Sequence, residues 1–454
     1  MTFDSTAKKL WTSCEVLKDS GVPRIQFLTE LSQLLYLKLM HEAQRDEVFP
    51  DGFRWSDLRA AESPLEFYQG LLNRLGKPSC NNTVRSIFQN SSTHIPTPEV
   101  LNRLISAIEA LEISPEVESL GDIYEAILER YSQDKKSGAG QYFTPRPLVE
   151  CIIDLMQPQP GEIIQDPSAG AGGFLVEANR YIQRNFDTSC PQFWGTELVE
   201  QTYQLLLMNA SLHGMEGGFY QGNTLSVVGQ SLPLADVILA NPPFGTARGE
   251  VANARTDLPF PTSMKQLEFL QHIYLGLAPG GRAAVIIPDN VLFDESQGTK
   301  VRVDLMDKCN LHTVLKLPSG IYYAGSVRTN VLFFQKGLRT QKTWVYDMRT
   351  GVPTLGRRNP LQRKHFADFE LCYGSDPNGS SPRTDLGGEG RFKCFTREEI
   401  AANRDRLDLV WLWDEDKVTE PPEKLLVTAK NTLQGIIAEI EALSKTLAMD
   451  LEIQ

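Results

Sequence analysis

The sequence predicts an α/β fold: a mostly parallel sheet with helices on both faces, preceded by an α-helical N-terminal domain and followed by a C-terminal helical segment. Three observations predict it. Residues 1–135 carry apolar side chains at helical spacing and hardly any alternating β-branched run. From residue 136 short apolar runs alternate with amphipathic stretches, and repeated β-α-β order means parallel strands joined by crossover helices. After Pro421-Pro422 the chain carries an apolar seam of nearly heptad period. The expected domains are therefore 1–135, 136–400 and 401–454.

In the first domain, Ile25 to Leu39 has apolar residues at i, i+3, i+4 and i+7, as an amphipathic helix requires. Pro98–Leu111 and Leu120–Tyr131 repeat the pattern. Asp134 to Gly140 is polar and glycine-containing, as a connector would be. Beyond it, strands are expected at Glu162–Asp166, Phe193–Glu197, Gly218–Gln221, Ala235–Asn241, Arg282–Pro288, His312–Leu317 and Asn330–Gln335. Helices fit Phe174–Arg184, Val199–His213, Lys265–Leu277 and Ser296–Cys309. Residues 374–391 have the composition of a loop. In the last segment Leu425, Ala429, Leu433, Ile436, Ile440, Leu443 and Leu447 form a seam that suits a partner helix, although helices of this kind commonly fold onto their own chain.

The 454 residues hold 57 acidic and 45 basic side chains, a net charge of −12. A protein that grips nucleic acid alone draws its phosphate contacts from Lys and Arg. The balance therefore implies a different partner, clustered basic residues, or a second subunit that shares the grip. Seven cysteines without a Cys-x-x-Cys pair argue against a disulfide framework and against a structural zinc site, so no metal is expected. Cys151 and Cys309 sit among apolar residues and read as core fillers. The first residues lack a signal-peptide run, and Ala283–Ile287 is far too short to span a bilayer. The cytoplasm is the expected compartment, with no membrane partner.

Directly after the first expected strand comes Asp166-Pro-Ser-Ala-Gly-Ala-Gly-Gly-Phe174. Gly170, Gly172 and Gly173 allow a tight turn and close approach of backbone to a ligand, with Ser168 and Ala171 inside the same turn. Glu197 ends the next strand, where a carboxylate can accept from ribose hydroxyls. A nicotinamide site uses the same logic but is spelled G-x-G-x-x-G. Asn223 follows the third strand and is placed to meet a ring amine, although such an Asn is often only a turn residue.

The fourth strand leads into Asn241-Pro242-Pro243-Phe244. Two prolines stop the strand, fix φ near −65° and remove two donors, so the turn presents acceptors. An exocyclic amine on an aromatic ring is a poor nucleophile because its lone pair is delocalised into the ring. Acceptors on its two hydrogens, the Asn241 side-chain oxygen and the Pro242 carbonyl, favour a pyramidal nitrogen and stabilise the positive charge that develops on methylation. Phe244 suits stacking on a base flipped out of a duplex. An ordinary strand-ending turn also tolerates Asn-Pro. The order of glycine turn, acid and Asn-Pro-Pro-Phe makes a site the stronger reading.

Gly138-Ala-Gly-Gln-Tyr-Phe-Thr-Pro-Arg146, the Asp166–Phe174 turn and Asn241-Pro-Pro-Phe244, in that order, resemble the motifs of N6-adenine DNA methyltransferases. Specifically they resemble the modification subunit of type I restriction–modification enzymes. Lys265-Gln-Leu-Glu-Phe, Pro279-Gly-Gly-Arg, Pro288-Asp-Asn-Val, Arg328-Thr-Asn-Val, Lys9-Leu-Trp and Phe27-Leu-Thr-Glu-Leu extend the resemblance over nearly the whole chain. It implies a Rossmann-like methyltransferase domain and S-adenosyl-L-methionine as cofactor. It also implies methyl transfer to N6 of adenine in a specific DNA sequence. Gln141, Tyr142, Phe143, Thr144, Pro145 and Arg146 would then line the methionine end of the cofactor. On the residues alone, Thr144 reads as a helix N-cap with Pro145 at the first helical position. The implied partners are DNA, a specificity subunit that sets the target, a second copy of the modification subunit, and a restriction motor–nuclease subunit. The long helices of the specificity subunit are the implied partner of the C-terminal seam. Asn223 departs from the family, where many members carry an acid. Protein glutamine methyltransferases are the alternative: they share Asn-Pro-Pro-aromatic, but usually carry Tyr and are shorter. A scaffold without catalysis is at odds with the intact motifs, and N4-cytosine methylation usually goes with Ser at the Asn241 position.

Overall fold

The computed structural model describes residues 24–111, 117–133, 143–186, 191–245, 255–322, 327–356 and 359–412, with residues 430 and 433 beyond them. Its centre is a nine-stranded sheet. The strands are β1 (Ile163–Asp166), β2 (Gln192–Glu197), β3 (Gly217–Gln221), β4 (Ala235–Ala240), β5 (Leu277–Pro288), β6 (Cys309–Lys316), β7 (Thr329–Lys336), β8 (Lys342–Asp347) and β9 (Phe392–Thr396). They lie in the order β3-β2-β1-β4-β5-β7-β6-β8-β9. Only β7 and β9 pair antiparallel with their neighbours.

The order positions the site. From β1 the chain steps outward to β2 and β3, then returns across β1 to lay down β4. Because β1 and β4 are adjacent and parallel, the turns after Asp166 and after Ala240 leave the same sheet edge side by side. Ligands of open α/β sheets bind at such a switch point. The seven expected strands are all present, with ends moved by a few residues. β4 stops at Ala240, so Asn241 stands just outside the ladder, which Pro242 could not continue for want of an N–H. β8 and β9 were not expected. β8 is short and buried after its first residue, and β9 is five residues whose apolar side chains Cys394 and Phe395 break any alternation, so neither carries a strong period in sequence. Residues 374–391 are the turn-rich connector that their composition predicts.

The N-terminal helices are α1 (Arg24–Glu42), α2 (Trp55–Ala60), α3 (Pro64–Leu75), α4 (Asn82–Phe88), α5 (Pro98–Glu109) and α6 (Val117–Gln133). Asn81 caps α4 through Thr83 N (2.8 Å), and Thr97 with Pro98 opens α5. Next come α7 (Arg146–Met156), α8 (Gly173–Asn185) and α9 (Glu200–Leu212). α9 is buried nearly all round. One side meets β2 and β3, the other α1, α4 and α6. Leu205, Met208 and Leu212 of α9 thus join Leu31, Leu34, Trp55 and Tyr68 in one core. The described residues up to Leu409 make one compact unit, and those from Val410 on belong to a second. The expected boundary at residue 135, and most of the C-terminal seam, lie outside the described residues.

An ion cluster fastens α6 to α8. The Arg180 guanidinium meets Asp122, Glu125 (2.6 Å) and Glu177 (3.5 Å). Beside it, burial lowers the His213 pKa to about 4, so the ring is neutral. Gly121 makes room for that ring: a Cβ there would lie 2.2 Å from His213 Cε1. Cys151 and Cys309 are buried in the core, as their surroundings predict. Among the described residues, no helix is long and apolar enough to cross a membrane. Arg180→Met should strip Glu125 of its ion-pair partner, leaving Glu177 with Arg184 and Asp122 with a distant Arg146, and cost roughly 3 kcal/mol of stability. Urea denaturation followed by circular dichroism reads the loss. An unchanged midpoint would show that the cluster does not hold α6 in place.

Candidate active site at the β1–β4 switch point

A cavity of about 1140 Å³ opens where β1 and β4 end. Its wall is built from Phe143 to Pro147, the glycine turn after β1, Glu197 to Val199, Gly222 to Leu225, and Asn241 with Pro243. Asp166, Ser168, Gly170, Ala171, Gly173, Glu197 and Asn223 all line it, as do Phe143, Thr144, Pro145 and Arg146. Gln141 and Tyr142 lie outside the described residues. Gly172, Pro242 and Phe244 are not in the wall.

The glycine turn owes its shape to backbone conformation. Gly170 and Gly172 have φ of +55° and +90°, which L side chains disfavour. At Gly172 a Cβ would also come within 2.7 Å of Leu206 Cδ1 on α9. Gly172 thus packs against α9, and its neighbours Gly170, Ala171 and Gly173 face the cavity. Asn209 of α9 holds the turn from behind, its Nδ2 donating to the Ala171 carbonyl (3.0 Å).

Two buried acids face this turn. Asp166 accepts from Ser168 N (2.9 Å), and burial, with a smaller contribution from Glu197, raises its pKa to about 7. Glu197 accepts from Gly170 N (3.0 Å) and Val199 N (2.8 Å), and burial again raises its pKa. A carboxylate has about four lone-pair sites. Glu197 thus shapes the turn with two of them and retains acceptor capacity toward the cavity. Glu125, Glu177 and Glu268 also border the space, as do Arg146, Arg255 and Lys265, so its lining is mixed in charge with carboxylates in excess.

Asn223 lines the cavity and also closes its own turn. Its Oδ1 accepts from Leu225 N (2.9 Å), closing an Asx turn. Thr224 Oγ1 donates to the Pro167 carbonyl (2.6 Å), which joins this loop to the glycine turn. Arg255 clamps the loop from outside: its Nη1 donates to the Thr224 carbonyl (3.2 Å) while its guanidinium pairs with Asp257.

At the end of β4, Asn241 Nδ2 donates to Thr144 Oγ1 (3.0 Å). Among the described residues, Asn241 Oδ1 is buried without a hydrogen-bond partner. The Thr144 hydroxyl is thereby engaged with Asn241 and does not cap a helix. α7 begins at Arg146, its N-cap is Pro145 without a side-chain cap, and the proline of its first turn is Pro147. This corrects the expected N-cap at Thr144 and Pro145 at the first helical position. The Thr144 hydroxyl is taken by Asn241 from across the switch point, and the helix begins one residue later than its composition suggests. Pro242 is buried, Pro243 exposed and Phe244 half-buried. The Phe244 ring meets Tyr322 edge to face, with centroids 6.4 Å apart and planes at 87°. Tyr322 lines the cavity, and its hydroxyl lies near Asn241 and Thr329 without reaching hydrogen-bond geometry to either. Lys265 N donates to the Gly245 carbonyl (3.3 Å) and fixes the end of the motif to α11 (Lys265–Gly276).

Sequence reasoning missed Tyr322, Arg255 and Asn209. Tyr322 carried a faint signal, an aromatic after Leu317-Pro-Ser-Gly at a strand end. Arg255 and Asn209 carried none, since only the fold brings a residue fourteen positions past Asn241, or one in mid-helix, to this wall.

The chain matches the N-6 DNA Methylase family over residues 116–417. It is 41% identical to the StySPI type I restriction enzyme methylase subunit of Salmonella potsdam, over 98% of this chain and 96% of that one. The EcoKI methylase subunit of Escherichia coli K12 gives the same identity and coverage. The crystal structure of the EcoKI M protein, classed EC 2.1.1.72, superposes with a TM-score of 0.59 at 38% identity, covering 98% of this chain and 96% of that one. The alternative of a protein glutamine methyltransferase finds no support in these relatives. With its Rossmann-like sheet and its Asn-Pro-Pro-Phe turn at the switch point, the chain belongs to the N-6 DNA methylases: it is a type I restriction enzyme methylase subunit, an adenine-specific DNA methyltransferase of a restriction–modification system.

Proposed function

We propose that this chain uses S-adenosyl-L-methionine to methylate N6 of adenine within a specific DNA sequence, in a cytoplasmic complex whose specificity subunit sets that sequence. The observation that carries this reading is the buried, unpartnered Asn241 Oδ1 beside the acidic cavity. A buried acceptor without a donor is rare in folded proteins, and a substrate amine would satisfy it. The cavity fits the proposed cofactor. It is large, it has close-approach glycines, and its buried carboxylates suit a ligand with a sulfonium and an ammonium. When bound, the cofactor supplies an electrophilic methyl group and departs as a neutral thioether, the pair of the broken C–S bond remaining on sulfur.

In this reading Asp166, Ser168, Gly170, Ala171 and Gly173 form the floor under the cofactor, with Gly172 holding the turn against α9. Glu197 accepts from the ribose hydroxyls. Asn223 borders the adenine end through its turn, and Phe143 to Arg146 border the methionine end, continuing from Gln141 and Tyr142. Asn241 Oδ1 and the Pro242 carbonyl accept from the target amine and favour its pyramidal form. The amine lone pair forms the new N–C bond, and the nitrogen then loses one proton to water. Pro243 keeps the turn rigid, and Phe244 stacks on the flipped base. The proposed assembly contains the specificity subunit, a second copy of this chain and the restriction motor–nuclease subunit. The net charge of −12 suits a chain that shares DNA with such partners. The seam from Leu425 to Leu447, most of it outside the described residues, is the proposed contact with the specificity subunit.

Mass spectrometry of DNA digested after incubation with the assembled complex tests the reaction: N6-methyladenine is expected, and its absence with active partners refutes the reading. Asn241→Ala should lower turnover about 10²-fold or more while leaving cofactor affinity in place. Glu197→Ala should weaken cofactor binding by about 1.5–3 kcal/mol in titration calorimetry. Asp166 gives a pH signature. With its pKa near 7 in the free protein, the carboxyl is largely neutral at pH 6 and ionised at pH 8. A cationic ligand favours the ionised form. Affinity should therefore rise as pH climbs through 7, with proton release on binding below it, and Asp166→Asn should flatten the dependence.

A further inference from the structure

We infer that Thr144 is a positioning residue: its hydroxyl holds the Asn241 amide with the oxygen end free for the substrate amine, once a group bound in the cofactor cavity accepts the hydroxyl's own proton. This deepens the reading above and rests on it.

The two ends of the Asn241 side chain are unequal. Nδ2 is engaged with Thr144 Oγ1 at 3.0 Å, and Oδ1 has no partner. An amide presents two donors at one end and an acceptor at the other. Turned over, it would aim N–H groups at an amine that also donates, and the acceptor that methylation requires would be lost. The polarity of one side chain therefore decides whether the site is competent.

A hydroxyl is donor and acceptor at once, and its role toward Asn241 follows from where its hydrogen points. Among the described residues that hydrogen meets no acceptor, while Thr144 stands in the cavity wall between Phe143 and Pro145. An occupant with an acceptor there, such as a carboxylate, would take the Thr144 proton. Thr144 Oγ1 could then only accept from Asn241, and the amide oxygen would be fixed outward. A chain of hydrogen bonds polarised in one direction also strengthens each link. Occupation of the cofactor cavity would thus prepare the acceptor for the base before DNA arrives. The interaction joins residues 97 positions apart in sequence.

The test uses the full chain assembled with its specificity subunit on its DNA target. Thr144→Val keeps the shape and removes the hydroxyl, and Thr144→Ser keeps the hydroxyl. At saturating S-adenosylmethionine, single-turnover methylation should fall about 10–100-fold in Thr144→Val, and the dissociation constant for the cofactor should rise about tenfold or more, because the variant also loses the hydroxyl's bond to the bound group. Thr144→Ser should stay within about threefold of wild type in both. Equal rates for Thr144→Val and wild type would overturn the inference. So would an equal fall in both variants, which would mean packing alone, or a loss of cofactor affinity with unchanged rate, which would make Thr144 a cofactor ligand only. If Thr144→Val fails to fold, Thr144→Ala is held to the same criteria. A wild-type complex that forms no N6-methyladenine would instead refute the proposed function, so the two failures are separable.

Discussion

The adjacency of β1 and β4 is the constraint on which the rest depends. Parallel pairing of Ile164 with Val237 and Gln165 with Ile238 puts the carboxyl ends of the two strands at the same height. One end delivers Asp166 and the glycine turn, the other Asn241 and its prolines. A methyl donor and an acceptor nitrogen must meet within bonding reach, and positioning of that kind accounts for a large part of catalytic rate. In the proposed reading the sheet provides it through register, by bringing the two turns to one edge. β2 then adds Glu197 one strand farther out, and β3 adds the loop of Asn223.

Around that frame, polar groups are arranged by burial. Asp166 and Glu197 are desolvated, which disfavours their charged forms, and each is only partly compensated by backbone N–H groups. Asn241 Oδ1 and Tyr322 Oη lack partners among the described residues. A protein selected only for stability would fill such positions with apolar side chains, because an unpaired buried polar atom costs about 1–3 kcal/mol. Asn241 and Tyr322 line the same cavity, and in the proposed reading a ligand meets them there. The Arg180 cluster and the shared core of α9 offset that cost by binding the N-terminal helices to the back of the sheet.

Much of this was legible in the chain. Strand and helix order, the glycine turn, Glu197 and the Asn-Pro-Pro-Phe turn are local features: each rests on periodicity, on a proline's missing N–H or on a glycine's free φ. One misreading was equally local: Thr144 has the composition of an N-cap, and its partner Asn241 stands just past the end of β4. Asn223 lines the cavity and also closes its own turn. α9 packs against β2 and β3 on one side and against α1, α4 and α6 on the other, and no local pattern reports which elements share a helix.

By itself the sequence determined the α/β class, the order of its elements, the ends of β1 and β4 and the residue types that stand there. These follow from short-range sterics and from the spacing of apolar side chains. Tertiary structure alone decided that Thr144 meets Asn241, that Tyr322 and Arg255 belong to the wall, that Gly172 packs while Gly170 serves the cavity, and that Asp166 titrates near 7. Those are properties of distance and dielectric between residues far apart in the chain, and no local pattern encodes them.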